Sequence, residues 1–258
     1  MCRSLTVITV VRNPGTEFLI TFDSVLALME IPNLEIKWLI MDGSEETSVM
    51  FEKAISKLKP ITNADVISIR DKGIYDAINQ SMRFIDSKHF MFIHSGDKVL
   101  PAISSVLEYL SEDSVDCFQS QWHGIQCESL ASRDPIRFSP FFGVMPNHQA
   151  MIFPRIFAKL EYALEFPIAA DLDLKLKLQA QGLLLFRDTH IVSSLDGGLS
   201  SSALTLSSVA PRTKEIWQIF RKHFGILHSF VATAPHAVNF LLRVRNVRFA
   251  PSSRQTSV

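Results

Sequence analysis

The chain has 258 residues, of which 47% are hydrophobic and 20% charged, and its formal net charge is zero. That composition supplies a sizeable core and excludes global disorder, and the charge balance gives no global case for nucleic acid or an acidic partner. Three cysteines (Cys2, Cys117, Cys127) are an odd number without zinc-like spacing, which points to reduced thiols in a cytoplasmic protein.

The N-terminus runs straight into an apolar segment, without a basic region, a long apolar stretch or a cleavage site, so no signal peptide is expected. Leu5 to Val11 is a β-branched run stopped by Arg12-Asn-Pro-Gly15, a buried strand and its turn. Glu17 to Met29 carries apolar residues at helical spacing. Ile36 to Met41 is a second strand, closed by Asp42-Gly43-Ser44. Val49 to Leu58 reads as a helix, Asp65 to Ile69 as a strand, Ile74 to Ile85 as a helix, Phe90 to His94 as a strand and Pro101 to Leu110 as a helix. Continuous apolar strands alternating with amphipathic helices predict an α/β fold with a mainly parallel sheet covered on both faces. Ligands of such sheets bind beyond the carboxyl ends of the strands. The residues there are Arg12-Asn13, Asp42-Gly43-Ser44, Arg70-Asp71 and Ser95-Gly96-Asp97.

The second half is less regular. Val115 to Gln121 reads as a strand, Ser129 to Pro146 as a loop, Pro154 to Tyr162 and Ala170 to Gln181 as helices, and Leu183 to Phe186 and Ile191 to Val192 as strand pieces. From Arg212 to Arg254 eight Lys/Arg face one acid, Glu215, which leaves this segment near +7 and the remainder near −7. A domain of residues 1–205 and a basic helical appendage of residues 206–258 are therefore expected. Phe224 to Leu242 has no Asp, Glu, Lys or Arg but contains Pro235, Asn239, His228 and His236, with Arg243, Arg245 and Arg248 following. It is too polar for a spanning helix. Two readings stand: a helix in the interface of an anionic membrane, or helices packed on the body.

Several segments have both a structural and a chemical reading. Asp97, after an apolar strand, can hold a hard divalent cation that bridges phosphates, or simply form a turn. Asp42 can accept hydrogen bonds from a base or ribose, or belong to a turn in which Ser44 caps the next helix. In Asp71-Lys-Gly-Ile-Tyr-Asp-Ala-Ile-Asn79, helix capping accounts for Asp76 but not for Tyr75 and Asn79 together. Asp171 is an N-cap or a general base. Asp196-Gly-Gly-Leu-Ser-Ser-Ser202 is a loop or a mobile lid. His148 has no second histidine at zinc spacing, so neither a zinc site nor a Ser-His-Asp triad is expected.

In order, Thr6-Val-Ile-Thr-Val-Val-Arg-Asn13, Asp42-Gly43-Ser44, Asp71–Asn79, Ser95-Gly96-Asp97, His148-Gln149, Ala170-Asp-Leu-Asp173 and Gly197-Gly-Leu-Ser-Ser201 resemble the motifs of family 2 glycosyltransferases, in the branch that builds bacterial surface polysaccharides. The resemblance covers roughly Leu5 to Ser202. It implies a GT-A (Rossmann-like) fold, a nucleotide-diphosphate-sugar donor, a divalent metal (Mn²⁺ or Mg²⁺) and an inverting transfer to a glycan or lipid-linked acceptor. On that resemblance Asp171 matches the catalytic base and Asp97 the metal ligand. Val11, Asn13, Asp42, Asp71, Lys72, Tyr75, Asn79, Ser95 and Gly96 line the nucleotide-sugar pocket. His148, Gln149, Gly198 and Ser200 approach the donor phosphates or the acceptor. The chain departs from the pattern at His94, where the branch has Asn, at Arg12, where an aromatic is usual, and in the shortened turn after Asp42. These changes bear on which nucleotide and sugar are used. Two other readings compete: a sugar nucleotidyltransferase, for which Arg12-Asn-Pro-Gly15 is a poor version of the usual Gly-rich loop, and a degenerate sugar-binding domain without catalysis.

Overall fold

The apolar runs of the first half become parallel strands, and the segments between them become helices. The computed structural model describes residues 3–123, 145–195 and 206–234. The strands are β1 (Arg3–Val11), β2 (Leu34–Asp42), β3 (Ala64–Ser68), β4 (His89–Phe92), β5 (Lys98–Val99), β6 (Val115–His123), β7 (Met151–Pro154) and β8 (Leu184–Leu195). They form one sheet in the order β3-β2-β1-β4-β7-β6-β8-β5. The pairs β3-β2, β2-β1, β1-β4 and β6-β8 are parallel, whereas β7 runs antiparallel to β4 and β6, and β5 antiparallel to β8. The expected mainly parallel sheet flanked by helices is therefore present.

The helices are α1 (Phe18–Met29), α2 (Val49–Ser56), α3 (Ile74–Ser81), α4 (Ile103–Val106), α5 (Ala170–Ala180) and α6 (Leu206–Phe224), followed by α7 over residues 226–234. Side chains alternate across each strand, so the sheet feeds two separate cores. Phe90 and Phe92 of β4 join Met151 and Phe153 of β7 beneath α3, α5 and α6. Met91 and Ile93 face the opposite way, toward α1, α2 and α4. There Phe18 meets Phe51 edge-on at 4.9 Å and stacks near Trp38, whose indole donates to Thr9 Oγ1 at 3.0 Å.

Some elements differ from the sequence reading. The helix expected from Pro154 is a strand end followed by a 3₁₀ turn over Arg155–Lys159, because Pro154 is extended at φ −66° and ψ 150°. β7 just before it was not foreseen: four consecutive buried residues carry no periodicity that tells strand from helix. The two strand pieces after Leu183 are one strand, β8. Its polar middle is accommodated by irregular register opposite Cys117–Ser120 and by the ion pair of Arg187 with the buried Asp116 at 2.7 Å. The helix expected over Pro101–Leu110 shrinks to the four residues of α4. Burial pushes the Cys117 thiol up to about 12, which makes it an inert core group. Gly198 and Ser200, most of the loop from Ser129, and the arginines at 243, 245 and 248 lie outside the described residues.

Candidate functional site

Parallel pairing in register aligns Val11 with Asp42 and Asp42 with Ser68, so the carboxyl ends of β1, β2 and β3 share one edge. β4 ends at the same edge. Because β7 is antiparallel to β4, with Met91 opposite Ile152, the turn that leads into β7 arrives there as well. This topology places the His148 ring beside that of His94, at 6.2 Å, more than fifty residues away in sequence.

On the β1–β3 side the groups are tightly interlocked. Asn13, at φ 48°, donates its N–H to Ser44 Oγ at 2.7 Å, and Ser44 donates its own to Asp42 Oδ1 at 3.0 Å. The side chain of Asp71 is 4% exposed and pairs with the guanidinium of Arg12, which is 53% exposed. Asp71 also receives the Gly73 N–H at 2.8 Å. Its second oxygen packs on Gly43: a Cβ there would sit 2.1 Å from Asp71 Oδ2, so only glycine fits. Asp71 thus ties three strand ends together, and the guanidinium it holds is the group presented outward. Lys72 donates its backbone N–H to Asp76 at 2.8 Å, and Asp76 occupies the first turn of α3.

At the end of β4, Gly96 adopts φ 95° and turns the chain so that Asp97 Oδ2 accepts the His94 N–H at 3.2 Å. Thr21 on α1 secures this turn: its hydroxyl donates toward the carbonyls of His94 and Asp97 and accepts from the Gly96 N–H at 3.0 Å. Ser95 donates to Glu17 at 3.3 Å. Asp97 is buried. Among the described residues no three His, Cys, Asp or Glu side chains gather into a metal cage. A hard ion can take most of its ligands from a diphosphate and water, and Asp97 is the carboxylate of this turn that could hold one.

The third group lies under α5. Asp171 keeps 27% of its side chain exposed, while its partner Lys175, one turn along the helix, is 6% exposed at 2.7 Å. Tyr75 donates to Asp171 Oδ1 at 3.0 Å. Burial opposes ionisation of Asp171, but the Lys175 charge, His148, and hydrogen bonds from Lys175 and Tyr75 outweigh it and hold the carboxyl well below the usual carboxylate range. Tyr75 stacks on Tyr162 at 5.5 Å, and burial, then the Asp171 charge, push both phenols upward, so they remain protonated donors. His148 bonds the Tyr162 hydroxyl and lies flat on Phe92 at 4.9 Å. Burial pushes His94 down to about 4 and His148 down to about 3. Nδ1 of His94 is buried without a hydrogen-bond partner.

Of the residues singled out in the sequence, Asp171, Tyr75 and His148 meet under α5. Asp42, Asp71 and Asn13 meet at the β1–β3 end, and Ser95, Gly96 and Asp97 form the β4 turn. Asn79 joins none of these clusters by its side chain: its amide clamps the backbone of Tyr162 from both sides, at 2.8 and 3.0 Å. Gln149 donates its N–H to the Asn147 side chain in a local turn. Sequence reasoning missed Lys175 and Tyr162 as site-forming residues, and it put Arg12 at the strand end without its partner Asp71. An Asp-x-x-x-Lys spacing was available as the signal for Lys175; nothing in the sequence marked Tyr162.

This arrangement of sheet, helices and strand-end carboxylates is a GT-A (Rossmann-like) fold. No protein-family model matches the chain, and no curated protein does either. Solved structures do. S. aureus TarS 1-349 in complex with UDP-GlcNAc matches at TM-score 0.63 and 14% identity, over 96% of this chain and 73% of that one. A longer S. aureus TarS chain matches at TM-score 0.60 and 14% identity; 97% of this chain is covered, but only 44% of that one. The mannosyltransferase PcManGT from Pyrobaculum calidifontis, in complex with GDP-Man and Mn²⁺, matches at TM-score 0.62 and 11% identity, over 94% of this chain and 73% of that one. At these identities the likeness is one of fold.

Proposed function

We propose that the protein is an inverting glycosyltransferase of the family 2 type, which moves a sugar from a nucleotide-diphosphate-sugar to an acceptor hydroxyl during surface-polysaccharide, O-antigen, capsule or glycolipid synthesis. The observation that carries this reading is the Asp171 carboxylate at the start of α5, held by Tyr75 and Lys175, together with Asp42, Asp71 and Asp97 at the strand ends. Two solved structures of this fold hold UDP-GlcNAc and GDP-Man, which supports a nucleotide-sugar donor.

The chemistry follows from the layout. Arg12 and Asp42 face the nucleoside at the ends of β1 and β2. A divalent ion held with Asp97 would neutralise charge on the departing diphosphate. The acceptor oxygen forms a bond to the anomeric carbon as the bond from that carbon to the phosphate oxygen breaks. The electron pair leaves with the nucleoside diphosphate, and the acceptor proton passes to Asp171. One base and one aligned acceptor suffice for a single displacement with inversion.

A thermal-shift titration with UDP, GDP and dTDP, with and without Mn²⁺ or Mg²⁺, tests the donor side. One diphosphate is expected to stabilise the protein in a metal-dependent way, and Asp97→Ala to weaken the metal-dependent part by about tenfold or more. No metal-dependent shift with any of them, or an unchanged shift in Asp97→Ala, removes Asp97 as the metal ligand. Release of nucleoside diphosphate from a nucleotide sugar is the expected reaction. Exchange of pyrophosphate into nucleoside triphosphate would instead identify a nucleotidyltransferase.

We further infer that the acceptor is met at a membrane surface, the inner face of the cytoplasmic membrane. No helix among the described residues is long and apolar enough to cross a membrane. α7, however, exposes Ile226, Leu227, Phe230 and Val231, spaced to lie on one face. Such a stripe beside a basic segment suits a shallow interfacial helix near a lipid-linked acceptor. Co-sedimentation with vesicles of phosphatidylglycerol and phosphatidylcholine is expected, and Leu227→Ser with Phe230→Ser should release most of the bound protein. Equal recovery in the pellet for the variant removes α7 as the contact.

A further inference from the structure

We propose that Glu215 is a positioning residue for Asp171: α6, from the basic C-terminal segment, grips the start of α5 and sets the orientation of the carboxylate. The inference rests on Asp171 being the base.

α5 begins under a deficit. Its N-cap is Ala169, which has no side-chain acceptor to offer, at the helix end where backbone N–H groups lack intrahelical partners. Glu215 makes good part of it from another helix. Its Oε2 accepts the N–H of Ile168 at 2.9 Å and that of Ala169 at 3.0 Å. The carboxylate is thereby placed at the positive end of the α5 dipole. On the other side, the Tyr75 hydroxyl that bonds Asp171 also reaches the carbonyl of Ile168 at 3.3 Å. Ile168 is thus held by its N–H from α6 and by its carbonyl from α3, three residues ahead of the base.

A second grip lies two residues past Asp171. Asp171 and Asp173 are two positions apart on the helix, roughly 200° around the axis, so they face opposite ways. Asp171 faces Tyr75, whereas Asp173 faces α6. Asp173 is 1% exposed and meets Lys222 Nζ at 3.2 Å, His223 Nε2 at 2.8 Å and its own helix's Lys177 at 2.7 Å. The first turn of α5 is therefore fastened on both sides of Asp171 by side chains of α6, and α6 cannot shift without moving the carboxylate. A base displaced by a fraction of an ångström loses alignment with the acceptor but leaves the donor pocket at the β1–β4 ends intact.

The test uses the full chain and follows nucleoside diphosphate release from UDP-GlcNAc and GDP-mannose. Glu215→Ala is expected to lower kcat by about ten- to a hundredfold, with the donor KM within about twofold because the donor site is untouched. Glu215→Gln keeps an acceptor oxygen and should recover most of the loss. Glu215→Asp, shorter by one methylene, should fall between the two, and it stands in if the alanine variant does not fold. Ile219→Val, a core change on the same helix, controls for stability alone: it should lower the unfolding midpoint and leave kcat unchanged. Amide exchange at Ile168 and Ala169 should quicken in Glu215→Ala and not in Glu215→Gln. An unchanged kcat in Glu215→Ala, or a loss that Ile219→Val reproduces, overturns the positioning role. Full activity in Asp171→Asn would instead overturn the reading of the base beneath it.

Discussion

Replacing Asp171 with asparagine is expected to lower turnover by about 10²–10⁴-fold, the range that a positioned general base supplies, while nucleoside diphosphate binding survives. In the proposed assignment the donor contacts come from the ends of β1 to β4, whereas Asp171 sits on α5, so the two functions are expected to separate. The low proton affinity of Asp171 does not disqualify it. In the free protein the carboxyl is ionised throughout the neutral range, which is the form that can accept a proton. The acceptor hydroxyl becomes strongly acidic only as its oxygen bonds to the anomeric carbon, and a weak, well-aligned base suffices at that stage. The rate profile should therefore show no acid limb near the ordinary carboxylate range that Asp171 itself causes. The substitution also strands Lys175, whose ammonium is nearly enclosed. Breaking a buried pair by removing one partner costs more than removing both, so the unfolding midpoint must be measured beside the rate. Asp171→Asn combined with Lys175→Met removes the orphaned charge. Inactivity in this double variant at a restored midpoint separates chemistry from stability; wild-type turnover in either variant sinks the assignment.

The parallel half of the sheet was legible because β1, β2 and β4 are buried on both faces and read as unbroken apolar runs ending in polar turns. Asp42, Asp71 and Asp97 followed from that, since the ends of parallel strands lie on one edge. The antiparallel insertion was not legible. β7 is four residues long with nothing to mark its direction, yet its direction alone brings His148 to His94. α5 is the helix expected over Ala170 to Gln181, even though Leu172, Leu174, Leu176 and Leu178 are spaced like a strand, because both its faces are covered. Asp171 and Lys175 meet the cleft, while Asp173 meets the cations of α6. Pairings at long range, such as Arg12 with Asp71 and Asn79 with the Tyr162 backbone, depend on which strand ends adjoin and leave no trace in spacing.

A two-stage loss of stability in acid is the second large effect expected. Burial is the main cause that lowers both His94 and His148; for His148 the Lys175 and His94 charges add to it, while Asp171 pulls the other way. An unfolded histidine titrates near 6.5. Below that pH the unfolded chain takes up protons that the folded chain refuses until about 4 for His94 and about 3 for His148. Each group should then cost about 1.4 kcal/mol per pH unit across its window, together several kcal/mol out of a typical total of about 5–15 kcal/mol. Asp171 and Asp173, both held low by their cations, act in a separate window: their stabilisation is present above the unfolded carboxylate value and is lost as pH falls below it. Glu215, raised by burial, runs in the opposite sense and offsets part of this. Urea midpoints measured from pH 7 to pH 4 should fall steeply from about 6.5, before the carboxylates matter. His148→Gln keeps a partner for Tyr162 and should flatten the slope by up to about 1.4 kcal/mol per pH unit, as should His94→Asn. A level midpoint over this range, or an unchanged slope in both variants, would mean that the two rings are not enclosed as the geometry has them. If the slope is as expected, activity should fall in acid with the folded fraction, and Asp171 should remain ionised until the fold is lost.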